Sequence, residues 1–156
     1  MTILDVITVP NPILTQVCSP ITEFDSSLKE LVNDMYDTMH SQQGIGLAAP
    51  QVGILSRLFI CEFENEKLTL INPEIIDNSG EVISQEGCLS IPDTLVEVDR
   101  FSEVTVQAQD LEGNTFTVQA SGMMAIIIQH ENDHLNGTLI TNIGKIIEKD
   151  ENDVIN

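Results

Sequence analysis

Residues 126–137 read "IIIQHENDHLNG": three isoleucines run into two histidines four apart, with a glutamate directly after the first. On a helix, residues i and i+4 sit one above the other, so His130 and His134 would present their rings over one patch. Two imidazoles placed this way can share a divalent transition metal, at about 2.0–2.1 Å for zinc. Glu131 would then stand beside the metal, placed to take a proton from water bound there. Burying two imidazoles and a carboxylate together without a cation would be costly, which favours the metal reading over two core histidines.

Two ligands leave a third to be found. A metzincin-like chain would carry another histidine after Gly137, but Ile140 occupies that position. A thermolysin-like chain would supply a later glutamate, and only Glu148 and Glu151 remain, in a short charged tail. The third ligand is therefore expected upstream, where "QEGCLSIP" offers Cys88 in a tight loop. A thiolate with two imidazoles suits Fe(II), Zn, Ni or Co and leaves a coordination position for water or substrate.

Elements must hold these groups. Met123, Ile127, His130, Glu131 and His134 recur at spacings of three and four, predicting a helix over 121–135. Met124, Ile126 and Ile128 make it apolar on its other sides too, so it should run through the middle of the domain. A second helix is expected over 25–42, with Leu28, Leu31, Val32, Met35 and Met39 on one face. Asp25 to Ser27 offer N-caps, Ser27 with Glu30 could form a capping box, and Gly44 ends the helix. Strand-like runs occupy 57–63, 67–71, 104–109 and 115–119, the last two joined by the turn signal "DLEGN". No regular βαβ alternation appears. The expected fold is α+β, with short mixed or antiparallel sheets around a central HExxH helix and an N-terminal helix.

The 156 residues suit a single catalytic domain, with 143–156 as a short acidic tail. No apolar run approaches the roughly 20 residues of a membrane span, and "MTILDVITVP" lacks the basic start of a signal peptide. A cytoplasmic protein is expected, with no membrane partner. Six Lys and Arg oppose 25 Asp and Glu, a formal charge of −19 that repels phosphate backbones and argues against direct nucleic-acid binding. Three cysteines do not make a disulfide framework; Cys18 and Cys61 read as small core residues.

Three blocks, "GIGLAAPQ" at 44–51, "EGCLS" at 86–90 and "QHENDHLNG" at 129–137, together resemble the peptide deformylase family. "INPEI" at 71–75, Arg100 and the turn at 110–114 extend the likeness across residues 3–142. The resemblance implies that Cys88, His130 and His134 bind the metal, usually Fe(II) in cells, with Zn(II), Ni(II) or Co(II) able to substitute. It implies Glu131 as general base, and the Gln51 side chain with the Leu89 N–H as donors to the oxyanion. Ile45, Met123, Ile126 and Ile127 would line a pocket for a methionine side chain, with Gly46 letting the substrate backbone approach. The implied activity is hydrolysis of the N-formyl group from N-formylmethionyl nascent peptides, releasing formate, by a monomer.

Two features depart from the family. Members typically continue into a basic C-terminal helix that contacts the ribosome, whereas here "TNIGKIIEKDENDVIN" sets two lysines against four acids. Any ribosome contact is thus expected to be transient. A minimal member of this kind would suit a phage, acting in the bacterial cytosol or the infected host cell. Methionines at 123 and 124 stand where leucine is common, a swap that packing tolerates. Two other readings compete: an HExxH metallopeptidase with a late glutamate ligand, and a non-catalytic homologue that binds formylated N-termini. Cys88→Ala separates the first, since such a peptidase would keep its metal. Glu131 speaks against the second, because a structural site needs no base.

Overall fold

A computed structural model describes residues 2–148. Helix α1 (Ser26–Ser41) is started by Asp25, whose carboxylate accepts the Leu28 N–H at 3.1 Å. An anionic cap complements the helix dipole and places Ser27 inside the first turn, so the cap is Asp25 rather than a Ser27–Glu30 box. The Gly44 N–H returns to the Met39 carbonyl at 2.9 Å and ends the helix. Leu28, Val32, Met35 and Met39 face inward as their spacing required, with Leu31 half-buried at the edge.

Two antiparallel sheets carry the remaining framework. The larger has the order β1-β2-β3-β6-β7, formed by β1 (Gly46–Ala48), β2 (Leu58–Phe63), β3 (Glu66–Ser79), β6 (Glu103–Gln109) and β7 (Thr115–Ser121). The smaller has the order β4-β5-β8, from β4 (Val82–Cys88), β5 (Ile91–Arg100) and β8 (Lys145–Glu148). Among the described residues, the one parallel pairing outside these strands is a single bridge between Ser19 and Ser56. The 104–109 and 115–119 runs do form the expected hairpin, closed by the Asp110–Asn114 turn.

Two further features differ from expectation. Cys88 is not in a loop: it closes β4, and Leu89 and Ser90 turn the chain into β5. Ser84 and Glu86 are inward and buried, so polar residues fill the positions where a strand normally shows its apolar alternation. Residues 143–148 are not a loose tail either, because β8 pairs with β5 after a short helix, α3 (Ile140–Ile143). The remainder of the expected acidic tail, 149–156, lies outside the described residues.

Helix α2 (Gly122–Leu135) lies against the larger sheet, its first half packed among Phe59, Cys61, Leu70, Val104 and Val106. Cys18 and Cys61 belong to this same core. Two polar clamps fix its position. The Gln129 amide exchanges hydrogen bonds with the Phe101 backbone, accepting from its N–H at 2.9 Å and donating to its carbonyl at 2.8 Å. At the other end, the Arg57 guanidinium donates to the Leu135 carbonyl at 3.1 Å and to Asn136 Oδ1 at 3.0 Å. The cation also complements the negative end of the helix dipole.

Candidate metal centre

The second half of α2 faces the end of β4, and there the predicted ligands meet. One donor atom from each of Cys88, His130 and His134 falls within 4.8 Å of the others, and all three residues are buried. Cys88 Sγ is 3.4 Å from His134 Nε2. The two rings stand edge to face with centroids 5.3 Å apart. His130 turns Nδ1 away, to Glu86 Oε1 at 2.8 Å, which leaves Nε2 as its inward atom. One sulfur and two imidazole nitrogens converging in this way suit a divalent transition metal. Beside them Glu131 Oε1 is buried and has no hydrogen-bond partner among the described residues, an orphaned acceptor that water or substrate at such a cation would satisfy. The residues fit the metal.

Glu131 itself is 1% exposed. Burial pushes its carboxyl up to about 7, against the lowering effect of His130 and with help from the like charge of Glu86. A carboxyl poised near neutrality accepts and returns a proton most efficiently. The histidines diverge: burial alone would lower both, but hydrogen bonds with Cys88 and Glu86 lift His130 well above its ordinary value. His134, buried and next to His130, falls well below.

Gly46 leaves room for the Glu131 carboxylate. A Cβ at that position would collide with Glu131 Oε2 and stand 2.9 Å from its Cδ, so the smallest residue on β1 opens the space that the carboxylate fills. Gly46→Ala is therefore expected to displace the Glu131 carboxylate and lower kcat by about 100-fold, with metal content unchanged. Steady-state kinetics beside metal analysis check this, and a kcat within twofold of the parent would remove Gly46 from the design.

Gln51 sits in the 3₁₀ turn Ala49–Val52 that follows β1. Its Oε1 accepts the Ala48 N–H at 3.0 Å, and its Nε2 donates to Ser90 Oγ at 3.1 Å, with Cys88 Sγ 3.6 Å away. The amide is thereby oriented with its donor end toward Ser90 and Cys88. Leu89 occupies the turn immediately after Cys88. Ile45, Met123 and Ile127 all pack in the core beside α2, whereas Ile126 is half-buried and outside that cluster. An open depression of about 490 Å³ at the start of α2 has Phe63, Met123 and Met124 in its walls.

The supports of the ligands were not assigned from sequence. Glu86 is fully buried and receives a two-pronged contact from Arg100, Nε to Oε2 at 2.8 Å and Nη2 to Oε1 at 2.7 Å. Arg100 Nη1 reaches Asp133 Oδ2 at 2.7 Å. Burial would raise the Glu86 carboxyl, but the bonds from Arg100 and His130 outweigh it and hold the group at about 2. Asp133 gains less, since burial lifts its carboxyl above the ordinary value despite the Arg100 contact. The stabilising pair is therefore Glu86 with Arg100. One signal was available: Glu86 stands only two residues before Cys88, so the chain cannot carry it far from that cysteine.

An HExxH helix packed on an antiparallel sheet, with an upstream cysteine converging on its two histidines, defines a metal-dependent hydrolase. The polypeptide deformylase family matches residues 3–150, and the chain belongs to it. A peptide deformylase from Heliobacterium modesticaldum is 42% identical over 98% of this chain and 97% of its own length. The crystal structure of the Thermotoga maritima peptide deformylase superposes with a TM-score of 0.89, at 37% identity, covering 92% of this chain and 98% of that one. One from Synechococcus elongatus, solved in complex with actinonin, gives 0.88 at 40% identity, covering 91% of this chain and 79% of that one. The chain is accordingly an enzyme, a metal-dependent hydrolase that removes the N-formyl group from nascent peptides.

Proposed function

We propose that Cys88, His130 and His134 hold the metal, with Fe(II) the ion used in the cell, and that Glu131, Gln51 and Leu89 carry the reaction. The observation that carries this reading is the convergence of one sulfur and two ring nitrogens beside a buried carboxylate with an unpaired oxygen. When bound, the cation would act as a Lewis acid and ease deprotonation of water in the site.

The chain's own groups do the rest. Glu131 takes the proton from the water that attacks the formyl carbon, and returns it to the peptide nitrogen as the C–N bond breaks. Formate and a free amino terminus leave. Gln51 Nε2 and the Leu89 N–H donate to the formyl oxygen as negative charge develops there. Ile45, Met123, Ile126 and Ile127 receive the methionine side chain, and Gly46 lets the substrate backbone approach while leaving room for the Glu131 carboxylate. Such chains are made on ribosomes in the cytosol, where the enzyme would work; the charge of −19 favours at most a transient ribosome contact.

The test is anaerobic loading with Fe(II) followed by formate release from formyl-Met-Ala and formyl-Leu-Ala. Release from the methionine peptide, with the leucine peptide several-fold poorer, is expected, since an apolar pocket discriminates by about 1–3 kcal/mol per methylene. No release with Fe(II), Ni(II) or Co(II) would reject the catalytic assignment. Equal or better use of leucine would reject the pocket assignment alone.

A further inference from the structure

The groups assigned to the formyl oxygen come from different sheets. Gln51 follows β1 of the larger sheet, and Leu89 lies in the β4–β5 turn of the smaller one. Among the described residues, the side-chain hydrogen bonds between these two segments are the Gln51 Nε2 contacts with Ser90 Oγ and Cys88 Sγ, beside the apolar packing of Leu89 on the cluster of Leu47 and Ala49. Both draw on one amide nitrogen with two N–H groups, so when one of these faces the substrate at most one of the two contacts remains to hold the segments in register.

A third segment joins them by backbone alone. The Ile7 N–H donates to the Gln51 carbonyl at 2.7 Å, and two residues later the Val9 N–H donates to the Ser90 carbonyl at 2.9 Å. Ile7 is seated by its side chain, which packs with the apolar cluster of Leu14, Cys88, Ile91 and Val96 and lies against Gly53. The same segment is tied down elsewhere by the Leu4 N–H, which donates to Thr38 Oγ1 of α1 at 2.8 Å, away from the metal ligands.

We propose that residues 7–9 are a positioning staple for the site: the Ile7 N–H sets the depth of Gln51, and the Val9 N–H sets the Leu89–Ser90 turn. This rests on the assignment of Gln51 and Leu89 to the formyl oxygen. The staple touches neither substrate nor metal. It acts by fixing two donors relative to each other, and positional errors of about 1 Å in such groups cost about 100-fold in rate.

Replacing a residue by its α-hydroxy acid counterpart turns its amide into an ester and deletes one N–H without changing the side chain. Metal-loaded chains carrying this change singly at positions 4, 7 and 9 are compared. The changes at 7 and 9 are each expected to lower kcat about tenfold, with KM and metal content unchanged, while the change at 4 leaves kcat alone. In a Gln51→Ala background the effect at 7 disappears and that at 9 persists. The ¹⁵N side-chain amide signals of Gln51 shift with the change at 7 and not at 4, a readout independent of turnover. Equal kcat for all three esters, or losses that merely follow thermal stability, would overturn the staple. A Gln51→Ala enzyme with undiminished kcat would instead show that the oxyanion assignment is wrong, and the staple would fall with it.

Discussion

Glu131→Gln is expected to keep its metal and lose kcat by about 10²- to 10⁴-fold, the range that a positioned general base contributes. The substitution preserves shape, and Glu131 is not among the three converging ligands, so metal analysis should match the parent. Stability should move the other way. The carboxyl titrates at about 7 in the fold against an ordinary 4.5, so its charged form is disfavoured by folding. The cost is absent below pH 4.5, grows as pH rises, and is complete above about 7, where it reaches about 3 kcal/mol. Urea unfolding in the presence of chelator should therefore find the Gln variant more stable than the parent at pH 8 and equal to it at pH 4. Retained turnover would remove Glu131 as the base. A variant less stable at pH 8 would show that the carboxylate is not held against its preference.

That exchange of stability for chemistry explains which parts of the molecule the sequence disclosed. Helix α2 was legible because its signal is local: apolar residues and ligands share one period, and His130, Glu131 and His134 need no other segment to be recognised. Cys88 followed by elimination of downstream ligands. Strands β4, β5 and β8 were not legible. In β4 and β5 the inward positions include Ser84, Glu86, Thr94 and Arg100, so the hydrophobic alternation is broken where the site needs polar groups. In β8 the reverse holds, since Ile146 and Ile147 are partly exposed within a charged run. The supports of the proposed ligands were illegible for a different reason. Glu86, Arg100 and Asp133 lie 14 and 33 residues apart along the chain and meet only through the packing of β4, β5 and α2. Each alone looks like a surface charge.

Glu86→Ala is the substitution with the largest expected effect on stability. It would leave the Arg100 guanidinium, which is 7% exposed, without its main partner, and breaking one side of a buried pair costs about 3–5 kcal/mol. It would also free His130 Nδ1, and losing such a support weakens metal binding by about 10- to 100-fold. The two effects separate in a double variant. Glu86→Leu with Arg100→Met replaces the pair with apolar volume and should recover most of the stability, but not the metal affinity, because His130 remains unsupported. Acid supplies a second check. A carboxyl held at about 2 in the fold and 4.5 outside it stabilises fully above pH 4.5, and that contribution, about 3 kcal/mol, drains away as pH falls toward 2. With chelator present, so that metal release does not contribute, the parent should lose stability steeply across this interval and the double variant should lose less. Equal slopes would mean that Glu86 is not held ionised by Arg100 and His130. Full metal affinity in the double variant would mean that His130 does not depend on Glu86 for its orientation.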